Sequence, residues 1–351
     1  MSDARRTVAI VGGGGFAGGE FLRLALGHPR LEVAQVTSER HAGEPVALVH
    51  PNLRGVTRLR FEPLAELRPA DVVVAALPDG DLMRRIDDLL PMTGVLVDLS
   101  ADFRLRDPEA YARWYGAPHA RPELLPSFVY ANPELDRVAP GGPRLPGATR
   151  LAGAGCIATA TVLALLPLVR GGLLARREVL VEAKVGSSAA GHAPSAAGHH
   201  PVRAGVVRTY QPVRHRHTAE VQQAFPGVEA HVTATAIERV RGVLVTVHAW
   251  LHGGSGEGDV RAALEDAYGD ERFVRLVTAR RGVHRVPDPR VLDGSNWCDL
   301  GFALDPDSGR LVVMSAIDNL VKGTAGHALQ SLNVALGGDE DEGLGFPGLF
   351  P

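Results

Sequence analysis

The sequence predicts two domains, an α/β domain with a doubly wound parallel sheet and an α+β domain with a mixed or antiparallel sheet. In the first third of the chain, short apolar segments alternate with segments of helical spacing, an order typical of parallel sheets. Farther along, strand-like segments follow one another with few helices between them. The length of 351 residues also suits two domains, because domains commonly span about 100–200 residues.

The elements of the first domain are predicted from the spacing of apolar residues. Residues 71–76, with the sequence Asp-Val-Val-Val-Ala-Ala, are typical of a strand that is covered on both faces. Residues 16–26 and 81–90 have the apolar spacing of helices. The remaining predictions are strands at 7–11, 31–36 and 95–99 and a loop-rich stretch, dense in proline, at 118–146.

The second domain opens with an apolar helix at 157–169. Its other predicted elements are strands at 178–185, 230–237, 242–251 and 311–317 and a helix at 260–268. The last helix, at 323–336, has apolar faces and is predicted to pack back on the first domain. The acidic run at 339–342 is predicted to be a solvated turn.

A glycine-rich turn joins the first strand to the first helix. It matches G-x-G-x-x-G at Gly13, Gly15 and Gly18, and also G-x-x-G-x-x-G at Gly12, Gly15 and Gly18. Glycines let the backbone approach a pyrophosphate, and the N–H groups at the helix start attract its charge. The context predicts a Rossmann-type dinucleotide site. Its expected residues are Gly12, Gly13, Gly15, Phe16, Ala17 and Gly18.

The end of the second strand bears on the choice of cofactor. An acidic residue there would bind the ribose of NAD, whereas Ser38 and Arg40 suit the 2′-phosphate of NADP. Glu39 lies between them and argues for NAD, so NAD stays the alternative to the predicted NADP(H). We assign residues 1–150 and 320–351 to the NADP-binding domain and residues 151–319 to the catalytic and substrate domain.

Cys156 is the candidate nucleophile. It lies among small residues directly before the apolar helix, where the helix dipole favours a thiolate. The small neighbours leave room for a substrate carbonyl group. The alternative is a buried structural cysteine, an interpretation that we keep for Cys298, which lacks this setting.

A thiolate nucleophile needs an acid or a base nearby, and the sequence His-Arg-His-Thr-Ala-Glu at 215–220 supplies candidates. Either His215 or His217 is predicted to transfer protons. Glu220 is predicted to orient one imidazole, and Arg216 to meet an anionic group of the substrate. The rival interpretation is a metal site, but His-x-His without a nearby cysteine or repeated carboxylates is not a structural zinc pattern. No metal is therefore predicted.

The composition argues against nucleic-acid binding and against a membrane partner. The 37 Lys and Arg residues against 40 Asp and Glu residues give a net charge of −3, which offers no basic field for nucleic acid. No apolar run reaches the roughly 20 residues needed to cross a bilayer, so no membrane partner is predicted. The charged start at 1–6 is unlike a signal peptide, and we expect a cytoplasmic protein.

Five motifs in order carry a resemblance to a known family. They are the glycine-rich turn and residues 98–104, 155–160, 215–220 and 318–323. In this order they resemble the N-acetyl-γ-glutamyl-phosphate reductases nearly end to end. The resemblance implies that the Cys156 thiolate attacks an acyl phosphate, that NADPH reduces the thioester and that an aldehyde leaves. It also implies that Arg104 holds the phosphate and that Asn319 lies near the nicotinamide, with Lys322 close by.

Three further stretches, at 50–55, 188–191 and 199–205, resemble the branch of this family that serves lysine synthesis. That resemblance implies a 2-aminoadipyl 6-phosphate held on a small acidic carrier protein, a substrate contact from Ser188, and a homotetramer. A basic loop that contains Arg203, Arg208, Arg214 and Arg216 would suit an acidic carrier, and its alternative role is to bind a carboxylate of the substrate. Because the branch commonly has Asn or Tyr where Ile157 follows the cysteine, substrate recognition there stays open.

Three alternatives remain at this stage. The chain could reduce N-acetyl-glutamyl phosphate for arginine synthesis, alone or alongside the lysine reaction. It could be a non-catalytic nucleotide sensor, although a sensor has no need for a nucleophile. It could be an aspartate-semialdehyde dehydrogenase, which shares the chemistry, but the sequence of residues 215–220 disfavours that assignment.

Overall fold

The computed structural model describes residues 5–350 and divides them into two compact units. Residues 5–154 and 324–345 form the first unit. Residues 155–323 and 346–350 form the second. Each unit contains one seven-stranded sheet, and the two sheets differ in type as the sequence predicts.

The sheet of the first unit is parallel throughout. Its strands are β1 (Arg6–Val11), β2 (Leu31–Thr37), β3 (Phe61–Glu62), β4 (Ala70–Ala75), β5 (Thr93–Asp98), β6 (Val129–Ala131) and β7 (Arg150–Gly153). They pair in the order β3-β2-β1-β4-β5-β7-β6. The direction of strand order reverses between β1 and β4, the place where doubly wound sheets bind ligands. The predicted parallel sheet is confirmed.

Five helices follow in the first part of the chain. They are α1 (Phe16–Leu26), α2 (Val46–Val49), α3 (Asp81–Leu89), α4 (Pro108–Tyr115) and α5 (Pro133–Asp136). The predicted loop-rich stretch at 118–146 contains two short regular elements, β6 and α5. The Asn132 side chain accepts from the backbone N–H of Leu135, and Pro133 occupies the first turn of α5. Such a cap and proline favour a helix start.

The second unit contains a mixed sheet, as predicted. Its strands are β8 (Glu178–Val185), β9 (Val207–Gln211), β10 (Glu229–Ile237), β11 (Val243–Trp250), β12 (Val274–Leu276), β13 (Cys298–Asp305) and β14 (Arg310–Ile317). Their order is β12-β13-β14-β11-β8-β10-β9. The pairs β8–β10 and β12–β13 are parallel and the others antiparallel. Strand β8 alternates exposed and buried residues, which is typical of a sheet with one covered face.

The helices of the second unit are α6 (Cys156–Arg170), α7 (His200–Arg203), α8 (His217–Ala224) and α9 (Glu257–Tyr268). Helix α6 is apolar nearly all round because it packs against α8, α9, β11 and β14. The Tyr268 hydroxyl donates to the Leu163 carbonyl oxygen (2.6 Å) and fastens α9 to α6. Within residues 5–350, no helix has both the length and the apolar character needed to cross a membrane.

The predicted helix at 323–336 is two elements. A π-helical turn, Val321–Ala325, comes first and α10 (Gly326–Ala335) follows. Helix α10 lies in the first unit, where it contacts α1, α5, β6 and β7. Residues 346–350 lie in the second unit, where Phe346 packs over Gly294.

The acidic run at 339–342 forms a turn, as predicted, and two of its partly exposed carboxylates make ion pairs. Glu340 pairs with Arg137 (2.9 Å), and Glu342 pairs with Arg30 (2.5 Å). These ion pairs tie the segment after α10 to other parts of the first unit.

Candidate active site

The glycine-rich turn lies at the carboxyl end of β1. Gly12 has φ +80°, and a Cβ there would lie 2.4 Å from the Ala76 carbonyl oxygen, so only glycine fits. A Cβ on Gly18 would lie 2.6 Å from the Gly12 carbonyl oxygen, which shows how closely α1 packs on the turn. At Gly15 the nearest such atom is 3.8 Å away. Neighbouring atoms therefore leave no room for a side chain at Gly12 and Gly18, whereas the space beside Gly15 is free. Backbone contact with a pyrophosphate requires such an arrangement.

The start of α1 adds Phe16 and Ala17 to this turn. Phe16 begins the helix and is 38% exposed. The backbone N–H groups at the start of a helix suit an anion, and Phe16 and Ala17 supply them at the start of α1. A Cβ on Gly13 would lie 2.2 Å from a methyl carbon of Val36, so the turn also packs closely on β2.

His50 supports the glycine-rich turn, a role that the sequence analysis missed. Its Nε2 atom lies 2.7 Å from the Gly13 carbonyl oxygen. The imidazole fits because Gly19 has no side chain, since a Cβ there would lie 2.2 Å from the ring. In the sequence, His50 stands out only as part of the family-like stretch 50–55, and no local pattern signals its contact with Gly13.

Ser38, Glu39 and Arg40 follow the end of β2. The Glu39 carboxylate accepts from the backbone N–H of Leu64 (2.7 Å). The Ser38 hydroxyl faces the turn, 2.8 Å from where a Cβ of Gly14 would lie. Arg40 is exposed. The Glu39 carboxylate thus binds the backbone of Leu64, while the Ser38 hydroxyl faces the glycine-rich turn.

Residues 98–104 form a tight loop after β5. The Asp98 carboxylate accepts from the backbone N–H groups of Ser100 (2.7 Å) and Phe103 (3.3 Å). Burial, reinforced by the charge of Asp102, raises the pKa of Asp98 to about 7.

Arg104 is almost fully buried, with 7% exposure. Its Nε–H donates to the Gly153 carbonyl oxygen (2.7 Å) at the end of β7. The guanidinium therefore joins the 98–104 loop to β7, the strand that leads to Cys156. Its predicted contact with a substrate phosphate stays a prediction.

Asp102 holds the start of α3. Its two carboxylate oxygens accept separately from the backbone N–H groups of Gly80 (2.5 Å) and Met83 (3.0 Å). A carboxylate in this position satisfies exposed helix N–H groups and complements the helix dipole. Burial nevertheless raises the pKa of Asp102.

Cys156 is the first residue of α6, and Gly155 is its N-cap. The Thr159 N–H donates to the Gly155 carbonyl oxygen (2.7 Å) and begins the helix. Cys156 is half-buried, whereas Ile157 is buried, with 1% exposure. The side chain beside the nucleophile therefore belongs to the core of the second unit.

Glu220 connects the histidine segment to the start of α6. Its Oε2 atom accepts from the Gly155 backbone N–H (2.9 Å). Its Oε1 atom lies 3.8 Å from His217 Nε2. Glu220 is fully buried, so one buried carboxylate binds the residue before Cys156 and lies close to the imidazole of His217.

His215 lies beside His217, with ring centroids 4.7 Å apart. The His217 backbone N–H donates to His215 Nδ1 (3.2 Å). Burial and the charge of Arg216 lower the pKa of His215 to about 4. His215 is therefore neutral near pH 7. Among residues 5–350, no group of three or more His, Cys, Asp or Glu side chains is placed to hold a metal ion.

Ser188 and Asn319, predicted to contact substrate and cofactor, are brought together. The Asn319 amide donates to the Ser188 hydroxyl (2.9 Å). The Gly242 backbone N–H donates to Oδ1 of the Asn319 side chain (2.7 Å). Both side chains are buried, and Lys322 nearby in the chain is also buried. Arg216, in contrast, is exposed.

The fold defines the class of protein. Residues 7–139 match the family described as "Semialdehyde dehydrogenase, NAD binding domain", and residues 156–319 match "Semialdehyde dehydrogenase, dimerisation domain". Aspartate semialdehyde dehydrogenase II from Vibrio cholerae has a TM-score of 0.68 at 16% identity, over 94% of this chain and 98% of that chain. The Candida albicans aspartate semialdehyde dehydrogenase with NADP gives 0.64 at 16% identity, with the same coverage. The chain has a semialdehyde dehydrogenase fold.

Close relatives narrow the family further. The "[LysW]-L-2-aminoadipate 6-phosphate reductase" of Deinococcus radiodurans is 58% identical over the full length of both chains. A "Putative [LysW]-L-2-aminoadipate 6-phosphate reductase" of Thermomicrobium roseum is 48% identical, over 98% of this chain and 99% of that one. A Cenarchaeum symbiosum relative named for both aminoadipate and glutamate is 42% identical, with the same coverage. The chain belongs to the family of [LysW]-L-2-aminoadipate 6-phosphate reductases, which confirms the resemblance to the lysine branch.

Proposed function

We propose that this protein reduces a carrier-linked 2-aminoadipyl 6-phosphate to the semialdehyde, with NADPH as reductant and release of phosphate. The observation that carries the proposal is the arrangement at the start of α6. There Cys156 follows Gly155, and Glu220 binds Gly155 while lying beside His217. The names of the relatives support the substrate and favour an enzyme over a nucleotide sensor.

The chemistry follows from this arrangement. The Cys156 thiolate attacks the acyl carbon, and the C–O bond to phosphate breaks to leave a thioester. When bound at the glycine-rich turn, NADPH supplies the hydride that reduces the thioester. His217 donates a proton to the carbonyl oxygen and recovers it as the C–S bond breaks, which releases the aldehyde and the thiolate.

His217 is the better acid and base of the two histidines. Its Nε2 lies 3.8 Å from the buried Glu220 carboxylate, which can orient the imidazole as a third group orients the base in an active site. His215 is held neutral by burial and accepts the His217 backbone N–H. We therefore assign proton transfer to His217, and to His215 the task of positioning it.

The segment after β2 favours NADP over NAD. The carboxylate that would bind the NAD ribose, Glu39, accepts from Leu64 instead. Ser38 and Arg40 are left as the polar side chains that suit a 2′-phosphate. The Michaelis constant is expected to be lower for NADPH than for NADH, and the opposite order would refute this assignment.

The carrier and the chain length of the substrate are the finer parts of the proposal. The exposed Arg216 and its basic loop suit an acidic carrier protein. The relative from Cenarchaeum symbiosum is named for glutamate as well as aminoadipate, which keeps the five-carbon substrate as a second candidate. A homotetramer stays a prediction, which light scattering on the purified protein would test.

The reverse reaction tests the proposal. Phosphate and NADP⁺ are added to free N-acetyl-glutamate semialdehyde or to carrier-linked aminoadipate semialdehyde, and NADPH is followed by absorbance. The wild-type protein is compared with Cys156→Ser and with the matched control Cys298→Ser, whose sulfur lies in the core against Ser315. We expect only the carrier-linked substrate to turn over, and only when Cys156 is present. Faster turnover of the free five-carbon aldehyde would place the enzyme in arginine synthesis.

A further inference from the structure

Gly323 lies directly against the nucleophile. A Cβ built on Gly323 would lie 2.6 Å from Cys156 Cβ and 3.2 Å from Cys156 Cα. Carbon atoms in contact are normally about 3.5–4.0 Å apart, so no side chain fits there. We propose that Gly323 is a positioning residue, whose bare backbone fixes where the Cys156 thiol stands at the start of α6.

The requirement for glycine comes from this contact and not from the backbone conformation. Gly323 is not among the glycines of the structure that have a left-handed φ. An alanine could therefore adopt the backbone angles of Gly323. What it could not do is keep its Cβ away from Cys156.

The turn that carries Gly323 is anchored at Asp318, which is fully buried. Its Oδ1 accepts from the Leu320 N–H (2.8 Å), and its Oδ2 accepts from the Gly294 N–H (2.6 Å) and from Arg241 Nη1 (3.0 Å). The Asp318 carbonyl oxygen accepts from the Gly323 N–H (2.9 Å). A turn held at this many points cannot easily move away from Cys156.

The rest of the turn is also fixed. Gly323 lies in the π-helical turn Val321–Ala325. Such turns are rare in proteins, but those that occur are often found at functional sites. Lys322 is buried, with its Nζ 5.5 Å from the centre of the Phe273 ring. Asn319 is hydrogen-bonded to Ser188 and Gly242. An added methyl group on Gly323 would therefore displace the first turn of α6 more readily than its own turn.

The consequence for catalysis rests on the proposed role of Cys156 as the nucleophile. A misplacement of about 1 Å in a reacting group can lower a rate about 100-fold. Gly323→Ala is therefore expected to lower kcat about 100-fold, with a change of less than about threefold in the KM for NADPH. The rate of Cys156 alkylation by iodoacetamide is expected to change as well, because the sulfur moves relative to the helix start.

The matched control is Gly258→Ala. Gly258 lies in α9, has no left-handed φ and has nothing within 4 Å of its built Cβ. It is expected to keep wild-type kcat and alkylation rate. If Gly323→Ala folds and keeps both wild-type values too, the proposal is wrong. A loss of stability alone, with kcat and alkylation unchanged, would likewise assign Gly323 a purely structural role.

A double-variant comparison isolates the contact. Cys156→Gly removes the Cβ that an alanine at position 323 would strike. We expect Gly323→Ala to lower the melting temperature by several degrees in the wild-type background and by much less in the Cys156→Gly background. Equal losses in both backgrounds, or failure of both to fold, would overturn the proposal.

These measurements separate this inference from the proposed function. Alkylation and melting need no substrate, so they test the contact even if the proposed acyl phosphate is not reduced. If the wild-type protein reduces no acyl phosphate but the double-variant comparison behaves as expected, the function fails and the contact stands.

Discussion

His215 and His217 are two residues apart, yet the structure gives the two imidazoles different surroundings. His217 lies beside the buried carboxylate of Glu220, whereas His215 is desolvated next to the charge of Arg216. The sequence predicts the cluster, because His, Arg and Glu within six residues suggest acid–base chemistry. It cannot choose between the histidines, since that choice depends on burial and on distances that arise only when α8 packs against α6.

Replacing each histidine by asparagine distinguishes their roles. His217→Asn removes the proposed acid and base, and is expected to lower kcat about 100- to 10,000-fold. His215→Asn keeps a side-chain oxygen that can accept the His217 N–H, and is expected to cost less than about tenfold. The measurement is kcat for phosphate-dependent oxidation of the aldehyde, with cofactor binding as the control for folding. A larger loss in His215→Asn than in His217→Asn would reverse the assignment.

The buried imidazole of His215 also predicts a pH effect on stability. Its pKa is about 4 in the folded protein against an ordinary value of 6.5, so between these values the unfolded chain binds the proton more readily. Stability from this group is complete above about pH 6.5 and is lost as the pH falls toward 4, by roughly 3 kcal/mol over the window. His215→Asn should therefore lose less stability between pH 7 and pH 5 than the wild type in urea unfolding.

The wild type must be compared with the His215→Asn variant because Asp98, a second buried group, also makes stability depend on pH. The pKa of Asp98 is raised to about 7 by burial, so its contribution is complete below about pH 4 and is lost as the pH rises through 7. The two effects oppose each other in the wild type. Equal pH dependence in the wild type and His215→Asn would show that His215 titrates normally.

Some helices and strands can be predicted from the sequence because their own composition favours one conformation. Strand β4 is a run of β-branched and small residues, and α6 is continuously apolar. Strand β13 was missed because its sequence Cys-Asp-Leu-Gly-Phe-Ala-Leu-Asp has polar and glycine positions, and its pairing with β14 decides its conformation. Helix α5 is only four residues long and lies in a proline-rich stretch, so the pattern of the sequence does not reveal it.

The start of α3 gives a prediction about one element. Asp102 uses both oxygens to accept from Gly80 and Met83, and an asparagine offers only one acceptor oxygen. Asp102→Asn should leave one buried N–H without a partner and lower the free energy of unfolding by about 1–3 kcal/mol. Asp107→Asn is the control, because the exposed Asp107 side chain accepts from the Glu109 N–H at the start of α4 and an asparagine oxygen can do the same. Equal stability of the two variants in urea would contradict the capping role.

Across the whole molecule, the sequence predicts the two kinds of sheet and the order of the motifs, because strand and helix periods persist over long segments. It does not predict the links between distant residues. The contacts of His50 with Gly13, and of Gly323 with Cys156, join segments 37 residues apart or more, and no local pattern encodes them. Tertiary packing determines which glycine is essential and which polar side chain supports a loop.

The preference for one cofactor can be measured on the whole protein as the rise in melting temperature that each cofactor causes. A ligand that binds only the folded state stabilises it by about 2.7 kcal/mol at 100 times its Kd. Because NADPH is proposed to bind more tightly than NADH, it is expected to raise the melting temperature of the wild type more than NADH does at the same concentration.

If Arg40 binds the 2′-phosphate, Arg40→Ala should lose most of the extra stabilisation by NADPH and keep the smaller effect of NADH, because NADH lacks that phosphate. Arg58→Ala, which removes another exposed arginine of the first unit, should respond as the wild type does. An Arg40→Ala protein that still melts much higher with NADPH than with NADH would show that other residues select the cofactor.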